Sequence, residues 1–132
     1  MQHVTPDEAL HLVEDEGYVY LDVRTEAEFQ AGHPAGSVCI PAFLRTPAGM
    51  APNPEFLDIA RRHLKLDTPI VVGCQAGGRS AKAAEWLEQA GYQTVVNCSG
   101  GFGGGRDPET MQPVPGWQAA GHPVETGGEA LR

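Results

Sequence analysis

The residues best suited to chemistry stand together in one short segment that combines a cysteine, two adjacent glycines and an arginine: Cys74, Gln75, Ala76, Gly77, Gly78, Arg79 and Ser80. A cysteine acts as a nucleophile in its thiolate form, which a nearby cation such as Arg79 favours. The glycine pair lets the main chain curl tightly, so that successive amide hydrogens can point inward at an anion. We therefore predict that Cys74 is a nucleophile whose negative charge the loop amides from Gln75 to Ser80 stabilise.

Two predicted elements flank this loop and position it. Residues 69–73 form an apolar run bounded by Pro and Gly, which is typical of a central parallel strand. Residues 80–90 have the apolar spacing of a helix. Ligands bind at the carboxyl ends of parallel strands, and a helix N-terminus attracts negative charge. This placement favours an ionised Cys74 at neutral pH over the alternative, a small apolar cysteine that only ends the strand.

The other two cysteines, Cys39 and Cys98, lack these neighbours. Cys39 lies within an apolar strand pattern, and Cys98 precedes a glycine-rich stretch without an adjacent cation. We expect both to be buried core residues, with a role as resolving thiol for one of them as the alternative. An odd number of cysteines favours free thiols, and neither a Cys-x-x-Cys pair nor metal-ligand spacing among the five histidines occurs. The sequence therefore predicts no structural zinc.

Alternating helical and strand patterns fill the rest of the chain. Capping boxes mark two further helix starts, since Glu8 follows Thr5 and Glu28 follows Thr25 at the required spacing. The other predicted elements are strands at residues 18–23, 37–40 and 94–96, helices at residues 54–64 and 114–120, and a proline-rich surface loop at residues 41–54. Strands that alternate with helices predict an α/β domain of three layers, in which helices flank a central, mostly parallel sheet.

A second glycine-rich stretch, residues 99–105, has the composition of a phosphate-binding loop but not its pattern. It lacks the Lys-Ser/Thr ending of such loops, and no helical pattern follows it directly. We interpret it as a flexible turn beside the active site and predict no nucleotide binding there.

The composition excludes two classes of partner. The chain has 132 residues and a formal net charge of −8, with only 9 Lys and Arg, so that it repels nucleic acid and anionic lipid. No apolar run approaches the roughly 18 residues of a membrane span. The first residues have neither the basic head nor the apolar core of a signal peptide. We expect one compact cytoplasmic domain that binds neither nucleic acid nor membrane.

Several short motifs occur in an order that is similar to that of the rhodanese family. An N-terminal group comprises Leu21-Asp22-Val23-Arg24, Glu28-Phe29, Gly32-His33 and Ile40-Pro41; the Cys74 loop follows; and a C-terminal group comprises Gly100-Gly101, Trp117 and Gly121-His122-Pro123. The match covers nearly the whole chain. It resembles single-domain bacterial and plant thiosulfate sulfurtransferases in particular.

The resemblance implies a rhodanese-like fold and a sulfurtransferase activity that needs neither metal nor other cofactor. Cys74 would take the outer sulfur of a small anionic donor such as thiosulfate and hold it as a persulfide among the loop amides. A thiophilic acceptor would then remove that sulfur: cyanide in assays, and a thiol such as glutathione or thioredoxin in cells. Arg79 would orient the anionic donor and stabilise the developing charge.

The N-terminal motif group fits supporting roles. Asp22 is expected to accept hydrogen bonds that brace the loop. Arg24 is expected to pair with Glu28 or another acid, with a position facing the pocket as the alternative. His33 is expected to be a hydrogen-bonded structural residue, because an ionised nucleophile needs no general base.

The chain departs from the family pattern at two places. Residues 34–36 are Pro-Ala-Gly where Ile-Pro-Gly is usual, and Trp117 lies 16 residues past Gly101 and not a few. Residues 103–115 therefore look like an insertion, which we expect to border the pocket and alter the choice of acceptor, with Arg106 adding positive charge. We assign residues 1–124 to a single domain and residues 125–132 to a flexible C-terminal tail.

Two other functions fit parts of this pattern. A cysteine phosphatase or arsenate reductase also uses a loop from cysteine to arginine, but four residues separate Cys74 from Arg79, one fewer than in the phosphatase loops. The smaller ring of amides suits a single sulfur atom better than a tetrahedral oxyanion. A non-catalytic or regulatory rhodanese module is the other alternative, although inactive members often lack the loop cysteine that this chain retains.

Overall fold

The computed structural model describes all 132 residues and folds them into four helices and eleven short strands. In chain order the elements are β1 (Gln2–Val4), α1 (Pro6–Asp15), β2 (Val19–Asp22), α2 (Glu26–Ala31), β3 (His33–Pro34), β4 (Val38–Cys39), β5 (Phe43–Thr46), β6 (Gly49–Pro52), α3 (Phe56–His63), β7 (Ile70–Gly73), α4 (Gly78–Gln89), β8 (Val95–Cys98), β9 (Gly105–Arg106), β10 (Pro113–Val114) and β11 (Val124–Glu125). None of the helices has the length and apolar character that a membrane crossing requires.

Five strands form a parallel central sheet in the order β1, β8, β7, β2, β4. Successive residues of a strand face opposite sides, so Ile70 and Val72 of β7 pack with the residues of α3 and α4, whereas Val71 packs with those of α1. The buried Trp117 completes the core on the α1 side. Helices on both faces of a parallel sheet confirm the predicted three-layer α/β class.

Local sequence signals account for the starts of the first two helices. Thr5 caps α1 and Thr25 caps α2, and in each case the threonine side chain accepts from the third helical amide while Glu8 or Glu28 reaches back to the cap amide. Both predicted capping boxes are therefore confirmed. Each satisfies two amides that the helix itself cannot bond.

The predicted surface loop at residues 41–54 is wrong in part, because the chain forms a hairpin of β5 and β6 there. Pro47 lies in the turn, and Gly49 follows with a φ of +112° that suits glycine. The Thr46 hydroxyl donates to the Gly49 carbonyl oxygen at 2.6 Å. Proline is compatible with this two-stranded hairpin because Pro52 stands at the end of an edge strand, where no ladder amide is needed.

The predicted helix at residues 114–120 is also wrong. Pro115 and Gly116 interrupt it, and the chain instead forms β10 and then a turn that ends near Gly121. β10 pairs with β9, so that the predicted insertion at residues 103–115 is a short antiparallel hairpin.

The C-terminal residues 125–132 are held against the domain and do not form the frayed tail that their polar composition suggested. β11 pairs with β3, and the Leu131 amide donates to the Cys39 carbonyl oxygen at 2.8 Å. The Leu131 side chain packs against the larger of the two core clusters. Main-chain hydrogen bonds, which composition does not reveal, account for the difference.

Candidate active site

The Cys74 loop begins where β7 ends, at the carboxyl edge of the parallel sheet. Gly73, the last residue of β7, is aligned with Asp22 at the end of β2. The Cys74 carbonyl oxygen accepts a hydrogen bond from the Phe102 amide at 2.8 Å, which fixes the main chain. Cys74 therefore stands at the edge where α/β proteins bind their ligands, as the sequence predicted.

The Cys74 sulfur is buried and accepts a main-chain hydrogen bond. The residue is 2% exposed, and the Gly77 amide nitrogen lies 3.0 Å from Sγ. Gly77 is also the N-cap of α4, and its φ of +106° suits glycine. No side chain caps this helix start. The first-turn amides of α4 are therefore available to an anion that the loop holds.

The glycine-rich stretch at residues 99–105 lies against the main chain of the loop. The Gly103 amide donates to the Gln75 carbonyl oxygen at 2.9 Å. A Cβ atom at Gly101 would overlap the carbonyl oxygen of Cys74. The stretch forms a turn beside the loop at residues 99–103, as expected, and its glycines allow two main chains to pack closely.

The hairpin of β9 and β10 also packs against the main chain of the Cys74 loop. Gly105, its first residue, lies so close to the Ala76 carbonyl oxygen that a Cβ atom would overlap it. Ala76 and Gly78 are otherwise exposed. The first residues of the insertion at 103–115 thus contact the Cys74 loop. Arg106 does not face the loop, because its side chain donates to the Met111 carbonyl oxygen within the hairpin, at 3.0 Å.

Asp22 and Arg24 form a buried ion pair next to the loop. The Arg24 Nη2 to Asp22 Oδ2 distance is 2.7 Å, and both side chains are almost fully buried. Arg24 Nη1 also donates to Gln75 Oε1 at 3.4 Å, and the guanidinium lies 4.5 Å above the ring of Phe102. Asp22 is therefore connected to the loop through Arg24. The acid that pairs with Arg24 is Asp22 and not Glu28.

Arg79 forms a two-point ion pair with Glu28 of α2. The nitrogen–oxygen distances are 2.8 and 3.0 Å. The Arg79 guanidinium lowers the pKa of Glu28 to about 2, although partial burial acts in the opposite direction. Glu28 in turn raises the pKa of Arg79. The loop arginine is thus held by an acid from the N-terminal motif group, and its other N–H groups remain available to an anion.

Ser80 is oriented away from the Cys74 sulfur. Its hydroxyl is within hydrogen-bonding distance of Asn97 Oδ1, at 2.5 Å, and of the Gly77 carbonyl oxygen, at 3.1 Å. Asn97 in turn contacts His3 through its amide nitrogen. The Ser80 side chain therefore links the Gly77 end of the loop to β8, and its hydroxyl makes no hydrogen bond to Cys74.

Cys39 and Cys98 are buried, as predicted. Burial raises the pKa of each thiol to about 12. Cys98 packs on the α1 side of the sheet, whereas Cys74 packs on the side of α3 and α4. His33 is also buried, and its ring stacks on Phe29 at 3.7 Å. No three His, Cys, Asp or Glu side chains come together in an arrangement that could hold a metal ion.

The sequence analysis missed three contributors to the site. Glu28 was recognised as a capping residue and as an expected partner of Arg24, but its carboxylate binds Arg79 instead. Phe102 and Asn97 carried no motif, and their contacts with Arg24 and Ser80 depend on the tertiary fold. The one signal that could have indicated the Arg79–Glu28 pair was the opposite charge of these two residues, one in the N-terminal motif group and the other in the loop.

Comparison with known proteins agrees with this geometry. A family profile described as Rhodanese-like domain matches residues 5–106, which include the whole Cys74 loop. The chain belongs to the rhodanese-like family.

Individual rhodanese-like relatives give the same result. Thiosulfate sulfurtransferase 16, chloroplastic, of Arabidopsis thaliana is 44% identical over 65% of this chain and 72% of its own length. Thiosulfate sulfurtransferase 18 of the same plant is 48% identical over 65% of this chain and 65% of its own. The crystal structure of Rv0390 from M. tuberculosis aligns with 96% of this chain over 98% of the Rv0390 chain, with a TM-score of 0.76 and 31% sequence identity. The rhodanese-like fold is therefore shown along almost the entire chain.

Proposed function

We propose that this chain is a thiosulfate sulfurtransferase in which Cys74 carries sulfur as a persulfide. The observation that carries the proposal is the hydrogen bond from the Gly77 amide to Cys74 Sγ, at the uncapped start of α4. An N–H group aimed at the sulfur, together with the positive end of the helix dipole, stabilises the negative charge that a nucleophilic sulfur and then its persulfide carry. The names of the two plant relatives support the same activity.

In the first half of the cycle the Cys74 thiolate attacks the outer sulfur of thiosulfate. A bond forms between Cys74 Sγ and that sulfur, while the sulfur–sulfur bond of thiosulfate breaks and sulfite leaves with the electron pair. The outer sulfur of the resulting persulfide carries the negative charge. The amides from Gln75 to Ser80 would stabilise this charge, because the main chain of the loop curls around the strand end and leads directly into α4.

In the second half a thiophilic acceptor takes the outer sulfur. Cyanide would accept it in assays, and a thiolate such as that of glutathione or thioredoxin in cells. The acceptor forms a bond to the outer sulfur, and the electron pair of the broken Cys74 sulfur–sulfur bond returns to Sγ. No metal or organic cofactor takes part in this cycle.

Arg79 would take part in this cycle as an arginine that is already paired with Glu28. Its two contacts with Glu28 hold the guanidinium in place at the end of the loop. A fixed cation loses little entropy when an anion binds, so Arg79 would attract the donor with the N–H groups that Glu28 leaves free. Arg24 is bound to Asp22 and supports the loop through Gln75.

Mass spectrometry of the protein after incubation with thiosulfate tests the proposal. We expect one added sulfur on the peptide that contains Cys74, which cyanide then removes with formation of thiocyanate. The Cys74→Ser variant provides the control and should gain no sulfur. A wild-type chain that remains unmodified, or that gains the sulfur on Cys39 or Cys98, would reject the role assigned to Cys74.

The same experiment separates the two other functions. A regulatory rhodanese-like module would gain no sulfur from any donor, although it retains Cys74. A phosphatase would release phosphate from a phosphoester without a persulfide. The cytoplasmic location stays a prediction, and one of the plant relatives is named as chloroplastic.

A further inference from the structure

A chain of three polar side chains leads from β1 to the Cys74 loop and has no part in the cycle described above. The His3 Nδ1 to Asn97 Nδ2 distance is 3.1 Å, and the Asn97 Oδ1 to Ser80 Oγ distance is 2.5 Å. Ser80 Oγ also lies 3.1 Å from the Gly77 carbonyl oxygen. Ser80 and Asn97 are 0% and 2% exposed, so neither can replace these bonds with bonds to bulk water. The chain ends at Gly77, whose amide binds the Cys74 sulfur.

The pairing of β1 with β8 brings the first two members of this chain together. The two strands run parallel, and His3 is aligned with Asn97. Val4, the next residue, packs on the α1 side of the sheet, so the His3 side chain faces the other side, where α4 begins. The connection between β1 and the Cys74 loop therefore depends on the parallel sheet.

The order of donors and acceptors in this chain is fixed while His3 is neutral. The Asn97 amide nitrogen can only donate, so His3 Nδ1 accepts from it. The Asn97 oxygen then accepts the hydrogen of the Ser80 hydroxyl. Because a hydroxyl has one hydrogen, Ser80 donates none to the Gly77 carbonyl oxygen, which accepts from the Ala81 amide at 3.1 Å.

Protonation of His3 reverses this order. A histidine side chain gains its proton between about pH 8 and 5, and both ring nitrogens then donate. The Asn97 amide has to turn over so that its oxygen faces His3 Nδ1, and its nitrogen then donates to Ser80 Oγ. The Ser80 hydrogen is released to the Gly77 carbonyl oxygen. That bond polarises the peptide group between Gly77 and Gly78, which makes the Gly78 amide a stronger donor to an anion in the loop.

The charged groups around His3 favour its protonated form. The Thr110 amide lowers the pKa of Asp107 in the turn of the β9–β10 hairpin, and the charge of His3 acts in the same direction to a smaller extent. The first two charged residues of α4, Arg79 and Lys82, are bound to carboxylates of α2 and of α4 itself. Helix α1, with its acidic first turn, packs on the opposite face of the sheet. Asp107 therefore attracts the proton of His3 without a competing free cation from α4.

We propose that Asn97 is a positioning residue, whose side chain couples the proton on His3 to the strength of the loop amides around the Cys74 sulfur. The inference deepens the cycle proposed above and rests on Cys74 as its nucleophile. At acidic pH the turned-over Asn97 amide strengthens the Gly78 donor, so the loop stabilises the negative charge of the thiolate and of the persulfide more strongly. The coupling therefore preserves the nucleophile when the pH falls.

Alkylation of Cys74 by iodoacetamide measures its thiolate without a sulfur donor. The His3→Asn variant keeps a hydrogen-bonding side chain that does not titrate. We expect its rate to fall about threefold at pH 5 and to equal that of the wild type at pH 8. Ser80→Ala keeps the charge of His3 but interrupts the chain, and we expect the same loss at pH 5. His11→Asn, at an exposed histidine of α1, is the control and should match the wild type at both pH values.

Nuclear magnetic resonance of the unaltered chain tests the same coupling without a variant that has to fold. The Gly78 amide proton should shift downfield as His3 is protonated, with the same midpoint as the signals of the His3 ring. The side-chain amide signals of Asn97 should change at that midpoint too. A Gly78 signal that does not follow His3 would overturn the proposal.

The outcomes separate the coupling from a simple charge effect and from the cycle. A loss in His3→Asn that Ser80→Ala does not share would show that His3 acts through space, and would overturn the role of Asn97. Equal rates in all variants at pH 5 would overturn it as well. If Cys74 gains no sulfur from thiosulfate while the differences in alkylation remain, the persulfide cycle fails and the coupling stands.

Discussion

The three cysteines of this chain lie at or directly after the last residue of a strand in the central sheet, yet they differ in what surrounds the sulfur. Cys39 ends β4, Cys98 ends β8 and Cys74 follows β7, and all three are at most 2% exposed. The Sγ atoms of Cys39 and Cys98 are placed to donate to carbonyl oxygens, at 3.6 and 3.9 Å. Cys74 Sγ instead accepts from the Gly77 amide at 3.0 Å.

The surroundings of each sulfur decide which cysteine is suited to a reaction. Burial raises the pKa of Cys98, although hydrogen bonds from Tyr20 and the Gly101 amide act in the opposite direction. A carbonyl oxygen stabilises the thiol, because only the protonated sulfur can donate, whereas an amide stabilises the thiolate. Only Cys74 is followed by a tight turn and a helix start. Burial at the end of a parallel strand is therefore not enough to make a nucleophile. The loop that follows the strand makes the difference.

Replacement of the sulfur gives the largest expected effect. Cys74→Ser should lower thiocyanate formation from thiosulfate and cyanide at least about a thousandfold, because a serine hydroxyl neither ionises near neutral pH nor forms a persulfide. Cys39→Ala should keep most of the activity. A Cys74→Ser variant as active as the wild type would show that Cys74 does not carry the sulfur.

Alkylation compares the three sulfur atoms in one molecule. With iodoacetamide at pH 6.5 we expect Cys74 to react about a hundredfold faster than Cys39 and Cys98, whose pKa values near 12 keep them protonated. Peptide mass spectrometry measures the three rates. In urea the rates should become equal, because unfolding removes both the burial and the loop amide. Equal rates in the folded protein would contradict the assignment.

The glycine-rich support of the loop is tested by Gly101→Ala. We expect a loss of about 3 kcal/mol in the free energy of unfolding, since the φ of +52° is strained for alanine and its Cβ would meet the Cys74 carbonyl oxygen. Gly17→Ala is the control: its φ is +74°, but nothing lies within 4 Å of the added atom. That variant should lose about 1 kcal/mol. Urea denaturation measures both, and equal losses would show that the close packing is unimportant.

The Arg79–Glu28 pair gives the smallest effect, and it depends on pH. The pKa of Glu28 is about 2 in the folded protein and about 4.3 in an unfolded chain, so its stabilising effect is present above pH 4.3 and is lost as the pH falls toward 2. Both side chains are partly exposed, so Glu28→Gln should cost about 1 kcal/mol at pH 7 and almost nothing at pH 2. Denaturation at the two pH values measures the difference. Glu85→Gln, at an exposed pair, should show little change at either.

Much of this site could be predicted because local patterns specify it. The strand before Cys74, the glycines after it and the helix that follows are adjacent in sequence, and both capping boxes span only three residues. The position of the loop at the carboxyl edge then follows from the general geometry of parallel sheets. These predictions needed no knowledge of which distant residues touch.

The errors concern segments whose structure depends on distant partners. β1 is only three residues long and is stabilised by pairing with β8, more than ninety positions away in the chain. The last residues are polar, yet β11 finds its partner in β3. The binding of Arg79 to Glu28 joins residues that are 51 positions apart. Periodicity and composition carry no information about such contacts.

The carboxylate of Glu28 belongs to two helix starts at once. It closes the capping box of α2 through Thr25, and it holds Arg79 in the first turn of α4. Aspartate has a shorter side chain and could not serve both partners from the same main-chain position. Fraying at either helix would release a bond that the other helix needs, so the two termini should open together as one cooperative unit in hydrogen exchange.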